Sequence, residues 1–246
     1  MKRDVLAPVL LGAVLLLTWT LLAGGGSVLM PAPAQVVHQL VDSLTDPAYW
    51  RALLITLAEA FGGALIGTGV ALPLAILIHR SPWAAAAFHP FLGATQAIPA
   101  IALAPLLVLW MGYGIAPVIV LCALIVFFPI LISAVVGLRH VDADVVDAGR
   151  IDGASSWALL TQVELPMALP AVLGGLRNGV TLAVTGAIVG EMVMGGAGLG
   201  TFLTIQRESV DTAGMFATIF VLCLIASAAY AAISLWERRS RIINSL

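Results

Sequence analysis

Long apolar runs alternate with short polar connections along the chain, and this pattern predicts a bundle of membrane-spanning helices. Six runs approach the roughly 20 apolar residues that cross a bilayer's hydrocarbon core. Because lipid offers the backbone no hydrogen-bond partner, each run is expected to be helical, and nothing alternates as the strands of a barrel would. The sequence therefore predicts an all-α membrane protein, with six transmembrane helices in a single domain, residues 1–246. The runs are Val5–Ala23, Leu53–Ile78, Phe91–Trp110, Ile115–Leu138, Ala168–Met192 and Ala213–Trp236.

The longest polar interruption, residues 139–166, separates the fourth and fifth apolar runs, and we call it the elbow loop. Its apolar residues recur at near-helical spacing from Val145 to Val163, with Gly153 between them. A glycine inside such a pattern favours a bend or a close backbone approach. We therefore expect two short helices that meet at Gly153, with Leu165-Pro166 ending the run. A solvated amphipathic loop is the alternative interpretation.

Basic residues gather on one side of the predicted membrane, which sets the expected orientation. On the other side lie only Arg51 and Arg207. Both termini and the elbow loop are therefore predicted to be cytoplasmic. The basic residues on that side are Lys2, Arg3, Arg80, Arg139, Arg150, Arg238, Arg239 and Arg241.

The first apolar run has a second interpretation. Lys2-Arg3, the run itself and Leu22-Ala23-Gly24-Gly25 also fit a signal peptide, whose cleavage would leave five spans. A retained span is favoured because the run is long for the core of a signal peptide. In the segment that follows, Ala34–Leu44 fits a short amphipathic helix on the outer face, and a simple linker is the alternative.

Composition excludes several classes of function. Hydrophobic residues make up 61% of the chain and charged residues 10%, against about 25% charged in globular domains. No basic cluster suits nucleic acid. The histidines, at positions 38, 79, 89 and 140, lie outside the apolar runs or at their edges, which argues against a buried catalytic pair or metal site. Cys122 and Cys223 lie inside apolar runs and are expected to be buried and unpaired.

Glycines suggest where helices pack closely. The pairs Gly63/Gly67, Gly175/Gly179 and Gly186/Gly190 have the four-residue spacing of close helix contacts in membranes, within the subunit or across a dimer axis. The run 195–200 is glycine-rich but has no strand–helix unit around it, so we expect a flexible external turn there. Since Lys2 is the only lysine, the chain has no phosphate-binding Gly-x-x-x-x-Gly-Lys loop and is not expected to be an ATPase.

Charged residues inside the apolar runs are costly in lipid and are expected to face protein or water. Glu59 and Glu191 fit either a solute pathway or pairing between helices, whereas pairing is favoured for Arg177. For the aromatic candidates, packing in the protein core is the alternative to lining the pathway. The candidates for the substrate pathway are Glu59, Gln96, Pro99, Phe127, Phe128 and Glu191.

The spacing within the elbow loop resembles the cytoplasmic "EAA" signature of the membrane subunits of ABC importers. Asp147-Ala148-Gly149 stands at the Glu-Ala-Ala position, Gly153 follows at the family's distance, and Val163-Glu164-Leu165-Pro166 stands at Ile-x-Leu-Pro. The resemblance implies a coupling helix that docks on a separate ATPase. The residues it implicates are Asp147, Ala148, Gly149, Gly153, Ala154, Val163, Leu165 and Pro166.

Further motifs are similar to the permeases of the nitrate, sulfonate and taurine importers, a group that includes importers of thiamine precursors and riboflavin. The Glu at position 59 and the run Gly186–Glu191 look more like the vitamin-type members. The motifs are Gln96-Ala97-Ile98-Pro99, Ala104–Leu107, Trp110-x-Gly112-x-Gly114, Phe127–Ile130, Gly137-Leu138-Arg139 and Gly198-Leu199-Gly200.

This resemblance implies a type I ABC importer fold in a bacterial inner membrane. It also implies a homodimer of permeases, a cytoplasmic ATPase dimer that uses ATP and magnesium, and an external substrate-binding protein. No cofactor is expected on this chain itself. A vitamin or vitamin precursor, either riboflavin or a thiamine pyrimidine precursor, is the expected solute.

Two alternatives stay open. One is a nitrate-, sulfonate- or taurine-type permease, although Arg177 is the single candidate cation for an anion pathway. The other is a secondary transporter that uses Glu59 and Glu191 as ion sites.

Overall fold

A computed structural model describes residues 2–24, 29–94 and 99–239, and gives the backbone alone at 2–5, 8–9, 93–94 and 238–239. Within these ranges the chain is helical and contains no strand, as its apolar runs predict. The helices are α1 Lys2–Ala23, α2 Pro33–Thr45, α3 Pro47–Arg80, α4 Pro82–Ala94, α5 Ala104–Met111, α6 Ile115–Arg139, α7 Ala143–Ile151, α8 Ser156–Leu159, α9 Leu165–Met194, α10 Leu199–Glu208 and α11 Thr212–Arg239.

Four helical stretches of the described chain are long and apolar enough to cross a membrane. They are α3, α6, the stretch Ser156–Met194 that contains α9, and Thr212–Glu237 of α11. These correspond to the second, fourth, fifth and sixth predicted spans. The first predicted span coincides with α1, whose described leucines are exposed, as they are on a helix that faces lipid.

The third predicted span is not one regular α-helix over its described residues. Helix α4 ends at Ala94, and a short 3-10 turn, Ala100–Leu103, leads into α5. Pro99 precedes this turn and Pro105 stands in the first turn of α5. Proline lacks a backbone N–H and disfavours helical geometry in the residue before it, and hydropathy alone does not register that effect.

Helix α6 forms the centre of the bundle, with α3 and α9 packed against it. Gly63 and Gly67 of α3 contact Cys122 and Ala123 so closely that a Cβ at either glycine would overlap α6. The glycine pairs therefore do mark close packing within the subunit, as their spacing predicts. The glycines of α9 that lie close to α6 are Gly175, Gly179, Gly186 and Gly190.

The two cysteines differ in environment. Cys122 is buried in α6, as predicted, whereas Cys223 is exposed on α11, which contradicts the prediction. The reason is that lipid solvates an apolar side chain as well as a protein core does, so hydrophobicity does not imply burial in such a chain. Both thiols are free.

The end of the bundle opposite the elbow loop carries a second, smaller core, and we call this end the distal end. Helix α2 forms there as an amphipathic helix, so the alternative of a linker was wrong. Tyr49, Leu53, Leu199 and Leu203 are buried together where α3 meets α10. This core fixes α10 on the distal ends of the long helices.

Candidate functional site

The elbow loop consists of two short helices that meet at Gly153. Asp142 caps the start of α7, and its carboxylate accepts a hydrogen bond from the Asp144 N–H at 2.9 Å. The helix ends before Gly153, which has a φ of +84°, a conformation that favours glycine. Ser155 then caps α8 by accepting a hydrogen bond from the Ala158 N–H at 3.2 Å. The bend predicted at Gly153 is confirmed, with a short helix on each side of it.

Two large apolar side chains of the elbow loop face outward. Ile151 is 86% exposed and Trp157 is 72% exposed, one on each side of the bend. The buried side chains beneath them include Leu159, against which Gly149 packs. An apolar tip on a polar loop is typical of a surface that another protein covers. We call Ile151 and Trp157 the elbow tip.

The chain continues from the elbow loop into α9 without a break, so the predicted stop at Leu165-Pro166 was wrong. Residues Leu160–Glu164 form a π-helical turn, in which the Leu165 N–H donates to the Leu160 carbonyl. The wider turn leads straight into α9, where Pro166 stands in the first turn and its missing N–H is tolerated. The elbow loop is therefore directly continuous with a membrane-spanning helix.

The residues implicated by the signature all lie along this path, and their coupling role stays a prediction. The side chains of Asp147 and Ala148 are exposed on α7. Asp147 accepts a 2.7 Å hydrogen bond from Arg150, an exposed ion pair of the kind that adds little stability. Gly153 and Ala154 form the bend. Val163, Leu165 and Pro166 are half-buried around the π-helical turn.

A buried ion cluster ties the elbow loop to the end of α3. Glu164 is 4% exposed, and its Oε2 lies 3.1 Å from His79 Nε2 and 3.1 Å from Arg80 Nη2. Arg80 Nη2 also donates to the Ser156 carbonyl at 2.6 Å. We call these three side chains the clamp. Sequence analysis missed it, because Glu164 occupies the variable position of the signature.

A buried polar network anchors α10 at the distal end. The Glu191 carboxylate accepts hydrogen bonds from the Thr56 hydroxyl at 2.7 Å and from the Gly200 N–H at 2.5 Å. The Thr56 oxygen in turn accepts from the Leu199 N–H at 2.8 Å. The two bonded N–H groups belong to the first turn of α10. The glycine-rich run therefore ends at a helical turn that is held by two buried hydrogen bonds to its backbone, and the flexibility of the preceding turn stays a prediction.

Glu59 lies beside this network. It is 0% exposed, and neither carboxylate oxygen has a hydrogen-bond partner among the described residues. Glu191 and Cys122 are close enough to interact with it electrostatically. The structure thus places Glu59 and Glu191 together in the distal half of the bundle. Their contact with a solute stays a prediction.

A cavity of about 570 Å³ opens between α6, α9 and the 3-10 turn, within the size range of small-molecule sites. Of the predicted pathway residues, Phe128 lines this cavity. The Phe127 ring packs edge-on against the Phe128 ring, with their centroids 4.9 Å apart. Pro99 directly precedes the lining residue Ala100. Gln96 falls outside the described residues. The described lining is Ala100, Leu103, Leu124, Ile125, Phe128, Pro129, Ile132, Ser133, Asn178 and Leu182.

Arg177 points away from this cavity. Its Nη1 lies 3.1 Å from Glu237 Oε2 and donates to Ser234 Oγ at 3.2 Å. Its guanidinium also lies 5.2 Å from the centre of the Tyr230 ring. The three partners all belong to α11, so pairing between helices, the interpretation favoured from the sequence, accounts for this charge.

Comparison with known proteins identifies the family. Residues 63–242 match the model of the binding-protein-dependent transport system inner membrane component. The chain belongs to this family. It is 39% identical over 217 residues to a riboflavin transport system permease protein of Chloroflexus aurantiacus, which covers 88% of this chain and 81% of that protein. It is 35% identical over 241 residues to a formylaminopyrimidine transport permease protein of Halalkalibacterium halodurans, which covers 96% of each.

The fold of this chain is also similar to that of a solved transporter. A chain of the MetNI methionine ABC transporter, solved in inward-facing conformations, superposes with a TM-score of 0.68 at 21% identity. The match covers 79% of this chain and 98% of that chain. The predicted ABC importer fold is therefore confirmed, and this family member is a transport subunit of an inner-membrane system.

The distal network leads to a prediction for Thr56→Val. Valine keeps the shape but removes the hydroxyl, which leaves the Leu199 N–H without its acceptor. An unsatisfied buried donor costs about 1–3 kcal/mol. We expect faster hydrogen exchange of the amides in the first turn of α10. Thr68→Val is the control, since among the described residues the Thr68 hydroxyl bonds only to the Ala64 carbonyl of its own helix. Equal hydrogen-exchange rates of these amides in the two variants would contradict the role of Thr56 in anchoring α10.

Proposed function

We propose that this permease couples a separate cytoplasmic ATPase to the import of a small neutral heterocycle. The observation that carries the proposal is the elbow loop, in which an exposed apolar tip is joined to two spanning helices. Through the π-helical turn it is continuous with α9, and through the clamp it is tied to α3. An ATPase that grips the tip would therefore move both helices together.

The elbow tip suits a groove on the ATPase surface. Trp157 and Ile151 supply the large, partly rigid apolar area that is typical of anchoring residues at protein interfaces. The charged side chains around them, Asp147 and Arg150, are exposed and already paired with each other. ATP and magnesium would be held by the ATPase, because this chain has no phosphate-binding loop.

Two features support a vitamin or vitamin precursor as the solute. The relatives named above carry riboflavin and formylaminopyrimidine in their names. The described lining of the cavity contains no ionisable side chain, which suits a neutral ring better than a sulfonate or nitrate.

The assembly would contain two copies of this chain, an ATPase dimer and an external binding protein. One side of the cavity is open, and a second copy would close it around the solute. The elbow loop and both termini would then lie in the cytoplasm, and the binding protein would dock at the distal end beside α10.

The direct test is uptake into proteoliposomes that contain this chain with its ATPase and binding protein. We expect ATP-dependent accumulation of labelled riboflavin or of a formylaminopyrimidine, and none of taurine. Accumulation of taurine instead would support the sulfonate-type alternative. Accumulation driven by an ion gradient without ATP would point to a secondary transporter and overturn the proposal.

Gly153→Arg tests the coupling itself. At a φ of +84° a side chain is strained, although a Cβ there meets no atom within 4 Å. The bend should open and misplace the elbow tip. We expect the variant to insert normally and to lose uptake, with ATP hydrolysis no longer stimulated by the loaded binding protein. Gly112→Arg is the control, since Gly112 also has a positive φ (+78°) and open space, but lies outside the elbow loop. Normal uptake by Gly153→Arg would refute the coupling role.

A further inference from the structure

Asn178 is a polar residue in the middle of a spanning helix. At 1.5 Å per residue it lies about 20 Å from Leu165 and about 24 Å from Met194 along α9. Its side chain is exposed and makes no hydrogen bond to any described residue. An unpaired amide is costly in hydrocarbon, so such a residue is expected to face water or another polar partner.

The side chain of Asn178 lines the cavity between α6 and α9. Ser133 also lines it and likewise has no hydrogen-bond partner among the described residues. The remaining lining is apolar and includes the Phe128 ring. Sites that orient a small ligand usually have an apolar wall that carries a few polar groups.

We propose that Asn178 and Ser133 recognise the solute by its hydrogen-bonding edge, while Phe128 packs against its ring. This inference rests on the proposed function and deepens it. A carboxamide offers one acceptor and two donors side by side, and a hydroxyl offers both roles. The matching solute is a neutral, planar nitrogen heterocycle with adjoining donor and acceptor groups on one edge.

Charge supports the same class of solute. No cation among the described residues lines the cavity, and Arg177, the neighbour of Asn178, is engaged with Glu237 on α11. An anion held there would lack a counter-charge in a poorly solvated site. A neutral ring needs only the two polar groups that the wall provides.

The test uses the complete reconstituted importer and Asn178→Leu, which keeps the side-chain size and removes the amide. We expect uptake of the labelled heterocycle to fall roughly tenfold, the effect of about one lost hydrogen bond in a buried site. Thr181→Val is the control, because the Thr181 hydroxyl bonds to the Arg177 carbonyl of its own helix and does not line the cavity.

An analogue methylated at the ring N–H gives a second readout. Wild type should prefer the unmodified solute over the analogue more strongly than Asn178→Leu does. Because both importers use the same binding protein, its own preference cancels when the two are compared. An unchanged preference in Asn178→Leu would overturn the inference. So would loss of self-association by this variant, which would make Asn178 a contact between subunits. If wild type accumulates no heterocycle, the proposed function itself fails.

Discussion

Glu164→Ala is expected to loosen the elbow loop from α3 and to lower uptake sharply. Removal of one partner from a buried ion pair costs about 3–5 kcal/mol, because the remaining charge stays in a poorly solvated place. Arg80 is about a third exposed, which favours the lower end of that range. The expected signs are rapid hydrogen exchange in residues 156–164 and the loss of solute-stimulated ATP hydrolysis.

The matched control is Glu208→Ala. Glu208 pairs with Arg207 at 3.7 Å, and both side chains are more than half exposed. Surface pairs of this kind contribute about 0–1 kcal/mol, so exchange and uptake should stay near wild type. Glu164→Gln tests whether the charge of Glu164 or its hydrogen bond matters, since glutamine removes the charge but keeps an oxygen that accepts from Arg80. Wild-type exchange and uptake in Glu164→Ala would mean that the clamp does not hold the elbow loop.

Gly63→Ala is expected to disrupt the packing of α3 on α6. A Cβ at this position would overlap the Cys122 Cβ and would lie 2.8 Å from the Ile119 carbonyl oxygen and 2.9 Å from the Ala123 nitrogen. Two of these atoms belong to the backbone, so the helices must separate along their length. Overpacking of a core costs about 1–3 kcal/mol or more, and we expect the upper end. Thermal unfolding in detergent would measure the loss.

Gly69→Ala provides the comparison within the same helix. A Cβ at Gly69 meets no atom within 4 Å, and alanine is a better helix former than glycine by about 1 kcal/mol. This variant should be as stable as wild type or slightly more so. Equal stability of the two variants would show that α3 and α6 tolerate a wider separation than the structure has.

Hydropathy predicts which parts of this chain span the membrane but not how each helix is built. It locates α3, α6, α9 and α11 because 20 apolar residues carry that information locally. It fails at Pro99, where backbone chemistry breaks an apolar run. At Pro166 the proline itself predicted a stop, but the π-helical turn lets the helix continue. Both outcomes depend on backbone hydrogen bonding, which average hydrophobicity does not describe.

The elbow loop was predictable because its spacing and Gly153 are local features. The clamp was not, since Glu164 meets His79 and Arg80 only after α3 and α9 have packed on α6. Asn178 was missed because nothing in the sequence distinguishes a face toward a cavity from a face toward the core. In a membrane protein the lipid and the protein core are both apolar. Which helix residues face a cavity is therefore decided by helix packing and not by hydrophobicity.

The way α10 is fastened affects how freely the distal surface can evolve. Thr56 and Glu191 accept hydrogen bonds from the backbone N–H groups of Leu199 and Gly200, so these bonds do not depend on the side chains of the later residues of α10. Exposed positions such as Ile205 and Arg207 can therefore change without weakening the attachment. Under the proposed docking of the binding protein beside α10, altered side chains on that surface would change which binding protein is accepted while the helix keeps its position.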